Sequence, residues 1–377
     1  MKCALICDEG FEEVVARQLK SYKIEIIEIN PTCILFNAEN HEIVAEICYT
    51  FQSAIKILTN IEQFNAVPDL EKTFRDIKVK NLEKEIANFK KGELKITCVR
   101  KGAHNFRSID LASKISHNYF KDFIKTYKNH QIEVLAYIKD KKGYIGIDFT
   151  GRTLSKRDYK IFNNAGTLRG SIAYNLLLIA EAKREEVILD PFMGSGTIII
   201  EAALAFSNLS PFYFTKEKFL FTKFLEKDWK SWFERQDNKR NNEGINIYGY
   251  DSQLKMLKYT QKNSKIADIN KQIKMTMCAI DWLDTKLEEK TIDKIITNPP
   301  YLTEHTSKTK ILKIYKEIFN QSDYILKENG TITILTNDNS EESIKDSAKF
   351  YKYSCYNEMR VFEGQQEMVL LQFKKEE

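Results

Sequence analysis

The sequence predicts an α/β protein whose C-terminal half contains a parallel sheet and whose N-terminal part is a smaller α+β region. From about residue 183, strand and helix patterns alternate, which is typical of a parallel sheet covered by helices on both faces. Residues 1–150 instead mix short β-rich runs with helical patterns. The length of 377 residues suits two or three domains, each with its own core.

Composition narrows the class of protein. Charged residues make up 29% of the chain, with only 14 Gly and 6 Pro, which excludes a collagenous or largely disordered protein. No apolar run reaches the ~18 residues that a membrane span needs, and the N-terminus lacks the pattern of a signal peptide. The seven cysteines form no CxxC pair. We therefore expect a reduced, cytosolic protein that binds neither a membrane nor a metal.

The net charge of +5 is unevenly distributed along the chain. Residues 1–60 carry five basic and nine acidic residues, whereas residues 91–160 carry sixteen basic and seven acidic ones. A basic segment beside a neutral remainder is typical of a protein in which one part binds a polyanion. A solvated, lysine-rich surface would produce the same pattern, so charge alone leaves both interpretations open.

Hydrophobic periodicity predicts the elements of the N-terminal part. The predicted helices are Phe11–Leu19, Glu42–Tyr49, Ile77–Phe89 and Ile109–Phe123. The predicted strands are Lys23–Ile29, Cys33–Phe36, Leu94–Val99, Ile132–Ile138 and Tyr144–Phe149, the last two joined as a hairpin.

In the C-terminal half, the strand patterns are separated by helical stretches. The predicted strands are Val187–Leu189, Ile245–Tyr250, Lys274–Met277, Ile292–Thr297 and Thr331–Thr336.

A glycine loop follows the first of these strands. The strand ends in Asp190-Pro191, and a tight turn containing Gly194, Ser195 and Gly196 precedes a helix. Such a loop directs backbone N–H groups and a helix N-terminus at a ligand carboxylate or phosphate. Because the loop lacks the GK[ST] ending of a P-loop, nucleotide hydrolysis is disfavoured.

Acidic residues also end the next two strands. Asp251 is placed to accept hydrogen bonds from ribose hydroxyls. Asp281 could accept from an adenine amino group while Trp282 covers the ring. Either acid alone is more often a helix N-cap, but acids at the ends of three consecutive strands favour a ligand site.

The fourth strand ends in Thr297-Asn298-Pro299-Pro300-Tyr301. The two prolines end the strand and fix the backbone carbonyls. Asn298 and the Pro299 carbonyl can accept hydrogen bonds from an exocyclic amine, and Tyr301 can stack on its base. Two such acceptors orient the nitrogen and stabilise the charge that develops on it as a methyl group arrives.

The C-terminal half, residues 183–377, resembles the class I S-adenosylmethionine-dependent amino-methyltransferases, which have a Rossmann-like fold and an NPPY-type signature. The resemblance implies that Asp190, Pro191 and the glycine loop hold the methionine end of S-adenosylmethionine. It also places Asp251 at the ribose, Asp281 and Trp282 at the adenine, and the NPPY residues at the target amine.

Residues 96–108 and 144–154 resemble THUMP domains, which bind RNA, and Asp8–Glu13 resembles the N-terminal ferredoxin-like domain of THUMP-containing RNA guanine-N2 methyltransferases. Residues 155–173 resemble the linker of those enzymes, in which Arg169 and Ser171 would touch the cofactor. The resemblance implies four parts: 1–60 ferredoxin-like, 61–154 THUMP, 155–182 linker and 183–377 methyltransferase, with an insertion at 206–244. The implied RNA contacts are Arg100, Lys101, His104, Arg107, Arg152, Lys156 and Arg157.

The predicted function is methyl transfer to the N2 amine of a guanine in structured RNA. The insertion resembles that of bacterial large-subunit rRNA enzymes, which favours rRNA over tRNA. An adenine-N6 methyltransferase and a non-catalytic RNA-binding factor are the alternatives. Three residues depart from the family pattern: Met193 where Cys is common, Phe224 where Trp is, and Leu302 where Gly usually follows NPPY. We expect Leu302 to make the entrance of the base pocket narrower.

Overall fold

The computed structural model describes residues 1–88, 93–126, 128–164 and 166–376. Phe89 and Ala165, which belong to a predicted helix and to the linker motif, lie outside these ranges. The chain forms two compact units. The first unit consists of Met1–Cys7, Val15–Leu154 and Phe214–Arg235, and the second of Asp8–Val14, Ser155–Tyr213 and Gln236–Glu377.

Up to Leu154, strands and helices follow one another in this order: β1 (Lys2–Cys7), α1 (Glu12–Ser21), β2 (Glu25–Asn30), β3 (Cys33–Asn37), α2 (His41–Thr50), β4 (Ala54–Asn65), α3 (Leu70–Asp76), α4 (Lys80–Asn88), β5 (Leu94–Lys101), α5 (Ser108–Tyr119), β6 (Ile132–Lys139) and β7 (Lys142–Asp148).

The strands of the first unit form one sheet in the order β2-β3-β1-β4-β7-β6-β5. All neighbours are antiparallel except β5 and β6. The long strand β4 pairs with β1 on one side and with β7 on the other. The predicted boundary between residues 60 and 61 falls within β4, so the segments predicted as ferredoxin-like and THUMP domains share one sheet. Their division into two domains stays a prediction.

The helix predicted at 77–89 begins later, because a separate short helix precedes it. The Asp69 carboxylate accepts a hydrogen bond from Lys72 N and starts α3. Ile77 then takes an extended conformation and its N–H bonds to the Phe74 carbonyl, which ends α3. The next helix, α4, starts at Lys80.

From Ser155 onward, the elements are α6 (Gly170–Ile179), β8 (Val187–Asp190), α7 (Thr197–Phe206), α8 (Phe221–Phe224), α9 (Trp229–Asp237), β9 (Asn246–Asp251), α10 (Leu254–Ile266), β10 (Ile273–Met277), β11 (Ile292–Thr297), α11 (Lys308–Ile325), β12 (Leu326–Thr336), α12 (Asp338–Phe350), β13 (Tyr353–Glu363) and β14 (Gln366–Lys375).

The second unit contains the sheet β10-β9-β8-β11-β12-β14-β13. The strands from β10 to β12 are parallel, as the alternating pattern predicted. The sequence analysis missed the antiparallel strands β13 and β14. The parallel order places the carboxyl ends of β8, β9, β10 and β11 at one edge of the sheet, where parallel α/β sheets bind their ligands.

Part of the predicted insertion belongs to the core of the first unit. Aromatic side chains of residues 214–235 pack on one another, with 4.8 Å between the ring centroids of Phe221 and Trp229. Phe233 reaches Tyr49 of α2, and Phe221 stacks on Phe149. Phe224 packs edge-on against the same Phe149 ring, so an aromatic side chain fills this position although it is not Trp.

Among the helices in the described ranges, none has the length and apolar character that crossing a bilayer requires. The described residues also contain no cluster of three His, Cys, Asp or Glu side chains that could hold a metal ion.

Candidate active site

A cavity of about 820 Å³ opens at the carboxyl edge of the parallel strands in the second unit. The cavity is lined mainly by five segments: the linker before α6, the glycine loop, the end of β9, the turn after β10 and the NPPY segment after β11. Ile314 of α11 also contributes to the wall. These segments are distant in sequence, but their strands end side by side, so the fold brings them around one volume. A volume of this size is typical of a site for a small molecule or cofactor.

The glycine loop presents bare backbone to the cavity. Gly194 has a φ of +53°, and a Cβ there would have nothing closer than Asn164 Oδ1 at 3.9 Å. Gly194 N donates to Asp251 Oδ2 at 3.1 Å, which ties the loop to the end of β9. The loop therefore leaves room for a ligand to approach its backbone closely.

Gly196 has a different role from the one predicted. Its φ is +88°, and a Cβ there would lie 2.4 Å from the side chain of Thr260 on α10. Gly196 caps α7 and lets α10 pack closely against the loop. Gly196 does not line the cavity, and it instead supports the glycine loop on the side that faces α10.

Asp190 and Asp251 are two of the three aspartates in the cavity wall, the third being Asp281. Asp190 is almost fully buried and accepts hydrogen bonds from Thr297 Oγ1 at 2.6 Å and from Phe192 N at 3.1 Å. Burial, with a smaller contribution from the nearby Asp251 carboxylate, raises the pKa of Asp190 to about 7, although the hydrogen bonds from Thr297 and Phe192 oppose this shift. Burial also raises the pKa of Asp251 above its ordinary value.

The NPPY segment contributes Asn298, Pro299, Pro300 and Tyr301 to the cavity wall. The Asn298 side chain donates from Nδ2 to the carbonyl of Leu335 on β12 at 2.8 Å. That bond fixes the amide and leaves Oδ1 as the atom that can accept from a ligand. The role of Asn298 as an acceptor for an amine stays a prediction, for which Oδ1 is the available atom.

Leu302 does not narrow the cavity, contrary to the sequence-based expectation. Its side chain packs against the hydrophobic core of the second unit and is not part of the cavity wall. Its backbone is held on both sides, because Leu302 N donates to Ser340 Oγ and its carbonyl accepts from Asn337 Nδ2. The one residue that favoured a non-catalytic factor therefore leaves the cavity open.

Two further predicted cofactor contacts lie outside the cavity wall. Ser171 is fully buried and donates from Oγ to Asp8 Oδ2 at 2.5 Å, within the second unit. Trp282 is 63% exposed and is not part of the wall, although its neighbour Asp281 is. Asp281 also pairs with Lys313 of α11, with 3.1 Å between Oδ1 and Nζ.

Sequence analysis missed several residues of the cavity wall: Asn164, Thr167, Leu168, Phe192, Gln253, Lys255, Met256, Thr303, Thr306 and Ile314. Most of them directly follow a predicted strand or belong to the linker motif. For Phe192, Gln253, Lys255 and Met256, the position two to five residues after a strand end was the signal that could have found them.

The predicted RNA contacts divide into exposed and buried groups. Arg107 is exposed and pairs with Asp110, and Lys156 is exposed as well. Lys101 and Arg100 are half-buried, and Arg100 lies 5.5 Å from the Phe106 ring centroid. Each of these four can still present charge to solvent.

The remaining three predicted RNA contacts, His104, Arg152 and Arg157, form hydrogen bonds within the protein. His104 donates from Nε2 to the Asp140 carbonyl at 2.8 Å, which fits a loop histidine better than a phosphate contact. Arg152 bonds to Thr215 Oγ1. Arg157 is wrong as an RNA contact, because it is fully buried and forms two 2.9 Å bonds with Glu201.

A family model described as RMKL-like, methyltransferase domain matches residues 157–367, more than half of the chain. The chain belongs to this family. The match spans the glycine loop, the three aspartates of the cavity wall and the NPPY segment. The methyltransferase domain confirms the predicted enzyme class and supports S-adenosylmethionine as its cofactor.

Two similar proteins match this chain over most of their length. A protein named tRNA (guanine(6)-N2)-methyltransferase from Methanocaldococcus jannaschii is 29% identical, over 94% of this chain and 95% of its own. A protein of the same name from Archaeoglobus fulgidus is 26% identical, over 87% of this chain and 81% of its own. The ribosomal RNA large subunit methyltransferase K/L of Shewanella woodyi is 31% identical, but over 46% of this chain and 25% of its own.

Solved structures share the fold at low sequence identity. SMU.472, a methyltransferase crystallised with SAH, has a TM-score of 0.79 at 18% identity and covers 100% of this chain and 98% of its own. TrmN from Thermus thermophilus has a TM-score of 0.70 at 17% identity, covering 100% of this chain and 99% of its own. These matches confirm the predicted fold class, a Rossmann-like methyltransferase domain preceded by an α+β part.

Proposed function

We propose that this methyltransferase transfers a methyl group from S-adenosylmethionine to the exocyclic N2 amine of a guanine in RNA. The observation that carries the proposal is the placement of Asn298 and Tyr301 in the wall of the same cavity as the glycine loop, in a chain whose full-length relatives are named for guanine-N2 chemistry. A site that holds a base amine beside a cofactor loop is what this reaction requires.

The residues of the cavity suit S-adenosylmethionine. The glycine-loop backbone and Asp190 would hold its methionine end, and Asp251 would accept from its ribose hydroxyls, as the resemblance implies. Asp281 would accept from its adenine amine. When bound, the cofactor supplies an electrophilic methyl group on a positively charged sulfur.

The residues of the chain promote the reaction by positioning the target amine and its base. Asn298 Oδ1 and the Pro299 carbonyl accept the two amine hydrogens, which directs the nitrogen lone pair at the methyl group. Tyr301 stacks on the base, which must leave its helix to reach the cavity. The acceptors also stabilise the positive charge that develops on the nitrogen as the methyl–sulfur bond breaks, and the methylated amine then loses one proton to solvent.

The relatives favour tRNA as the substrate, because the tRNA enzymes match along nearly the whole chain. The rRNA enzyme matches over a quarter of its own length, and the insertion at 206–244 is the feature that speaks for rRNA. We therefore rank tRNA first and large-subunit rRNA second. The first unit would dock the RNA through phosphates and shape, with Arg107, Lys101 and Arg100 as contacts.

Methyl transfer to separated nucleic-acid pools tests the proposal. Purified protein is incubated with S-adenosylmethionine labelled in its methyl group and with bulk tRNA, large-subunit rRNA or duplex DNA. We expect label in unmodified tRNA, with rRNA as the second candidate. Label in DNA alone would reject the proposal.

A further inference from the structure

The outward face of α10 is a stripe of four exposed lysines, Lys255, Lys258, Lys262 and Lys265, which we call the lysine stripe. Their spacing of three and four residues places them on one face of the helix, over about 15 Å of its length. The helix contains no Asp or Glu. Residues 252–274 carry six Lys and one Asp, a net charge of +5 that equals the charge of the whole chain.

Two aromatic rings lie among these lysines. Lys262 Nζ is 4.5 Å from the centroid of the Phe162 ring, and Lys255 Nζ is 5.5 Å from that of Tyr259. The rings of Phe162 and Tyr259 are 5.7 Å apart and half-buried. Cations interleaved with aromatic faces are typical of surfaces that bind a nucleic-acid strand, with phosphates at the cations and bases at the rings.

The opposite face of α10 holds the glycine loop. Thr260 Oγ1 donates to the Gly194 carbonyl at 2.8 Å, and Asn263 Nδ2 donates to the Ser195 carbonyl at 3.0 Å. Lys255 itself lines the cavity. The lysine stripe therefore begins at the rim of the active site and runs away from it along one helix.

The lysines are available to an external partner. Among the described residues, the ion pairs of the second unit use other lysines, such as Lys313 and Lys345, and leave the lysine stripe out. Lysines that only contact solvent would not need aromatic rings beside them or a position at the rim of the active site. An acidic protein would match the charge, but it would not use flat aromatic faces next to a cavity for a base.

We propose that the lysine stripe binds the phosphates of the RNA strand next to the target nucleotide, and that the Phe162–Tyr259 ring pair contacts a neighbouring base. The inference rests on the proposed function for the choice of RNA as the polyanion. The lysine stripe adds a contact surface on the second unit to the one predicted on the first unit.

The salt dependence of RNA binding tests the proposal. The triple variant K258Q/K262Q/K265Q leaves the cavity residue Lys255 intact. Binding of a fluorescently labelled single-stranded RNA of mixed sequence, and of bulk tRNA, is measured by anisotropy over a salt series. Because each phosphate contact contributes about 0.7–0.9 to the slope of log affinity against log salt, the triple variant should lower that slope by about 2.

The matched control is K349Q/K352Q/K374Q, which removes the same charge from exposed positions elsewhere in the second unit. We expect its slope to equal that of the unmodified protein. Calorimetric titration with S-adenosylmethionine should give one affinity for all three proteins, which shows that the cofactor loop is intact. Equal slopes for the stripe variant and the control would overturn the proposal.

The ring pair is tested separately. Phe162→Leu keeps an apolar side chain but removes the stacking face, so RNA affinity should fall about fivefold or more while the salt slope stays unchanged. Unchanged affinity would overturn the base contact.

If the slope falls in the stripe variant but the unmodified protein methylates no RNA, the proposed function fails and the lysine stripe stands. If the unmodified protein methylates RNA and the stripe variant keeps its slope, the proposed function stands and the proposal for the lysine stripe fails.

Discussion

The side chain of Asn298 can accept a hydrogen bond at Oδ1, because its Nδ2 is already used as a donor. Its Nδ2 bonds to the Leu335 carbonyl, so Oδ1 alone can bind the target amine. We predict that Asn298→Ala lowers kcat about 100-fold or more, because it removes a contact that strengthens in the transition state. Single-turnover methyl transfer measures this effect, and calorimetry should show unchanged cofactor affinity.

Asn320 provides the control for this prediction. It lies exposed on α11, and its Nδ2 donates to Glu317 Oε2 at 3.0 Å. Asn320→Ala should keep the turnover of the unmodified protein. If Asn298→Ala also keeps it, Asn298 does not hold the amine.

Asp190 should make cofactor binding depend on pH. Because burial raises its pKa from 3.8 to about 7, the carboxylate fraction in the folded protein grows as the pH rises through 7. If the carboxylate binds the ammonium group of the cofactor, the association constant should rise about tenfold per pH unit below 7 and level off above it. Calorimetric titrations across this range measure the slope.

The variant Asp190→Asn should bind the cofactor more weakly and with no such pH dependence between about 5.5 and 8. A variant that keeps the slope of the unmodified protein would assign the titration to another group. The nearby Asp251, whose pKa is also raised by burial, would then be the first candidate.

Some site residues could be found in the sequence and others could not. Asp190, Asp251 and Asn298 end parallel strands, and a strand end fixes where a side chain lies. The partners of Ser171 and Arg157 are set by long-range packing. Ser171 bonds to a residue 163 positions away, which no local pattern reveals. Basic residues such as Arg157 look alike in sequence whether they are exposed or buried.

The packing of α10 against the glycine loop depends on Gly196. Its positive φ and the 2.4 Å approach of Thr260 both oppose a side chain. Gly244 has a φ of +68° with nothing within 4 Å of an added Cβ, so it separates the two effects. We predict that Gly244→Ala costs about 1–2 kcal/mol from the backbone conformation alone, and that Gly196→Ala costs more and weakens cofactor binding.

Chemical denaturation of both variants measures these free energies of unfolding. Equal losses for Gly196→Ala and Gly244→Ala would show that α10 moves away freely. The close packing of α10 against the loop would then not matter for stability.

The linker is attached to α7 by a buried ion pair. Arg157 Nε and Nη2 donate to the two carboxylate oxygens of Glu201, and Tyr159 OH donates to Glu201 Oε1 at 2.6 Å. Arg157→Ala should lower the free energy of unfolding by about 3–5 kcal/mol, because it leaves Glu201 charged, buried and without its cation.

The double variant R157M/E201Q should recover most of that loss, since it removes both charges and keeps an acceptor for Tyr159. Denaturation measures both variants. If Arg157→Ala instead keeps full stability and reduces the salt slope of RNA binding, the arginine is an RNA contact after all.

Elements were predictable where the apolar pattern was local. The parallel strands β8 to β12 stood out as short apolar runs between helical stretches. The strands β1, β4, β13 and β14 were not predicted. In β13 only Tyr353 and Val361 are buried, so the strand shows no regular alternation of apolar and polar residues. The position of residues 214–235 in the first unit could not be predicted, because their aromatic residues find Tyr49 and Phe149 only in the folded chain.

The two units are not separated by a single cut in the sequence. Asp8–Val14 belongs to the second unit, where Asp8 bonds to Ser171 and Arg169. A fragment that starts at Ser155 would lack this carboxylate and leave a buried hydroxyl without its acceptor. Experiments on the second unit therefore need the full chain.

The charge of the molecule supports a role in binding RNA at two places. The net charge of +5 conceals a basic segment at 91–160 and a second one at 252–274. The first lies mostly in the first unit, and the second surrounds the lysine stripe at the rim of the active site. The total charge could not reveal either one, because acidic segments cancel them.

The central claim is that this chain methylates the N2 amine of guanine in RNA. The most direct test is mass spectrometry of nucleosides from bulk tRNA and rRNA after reaction with cofactor that carries a deuterated methyl group. We predict deuterated N2-methylguanosine with the unmodified protein, and about 100-fold or more slower formation of it with the Asn298→Ala variant. Deuterated N6-methyladenosine, or no labelled nucleoside from any RNA pool, would contradict the account.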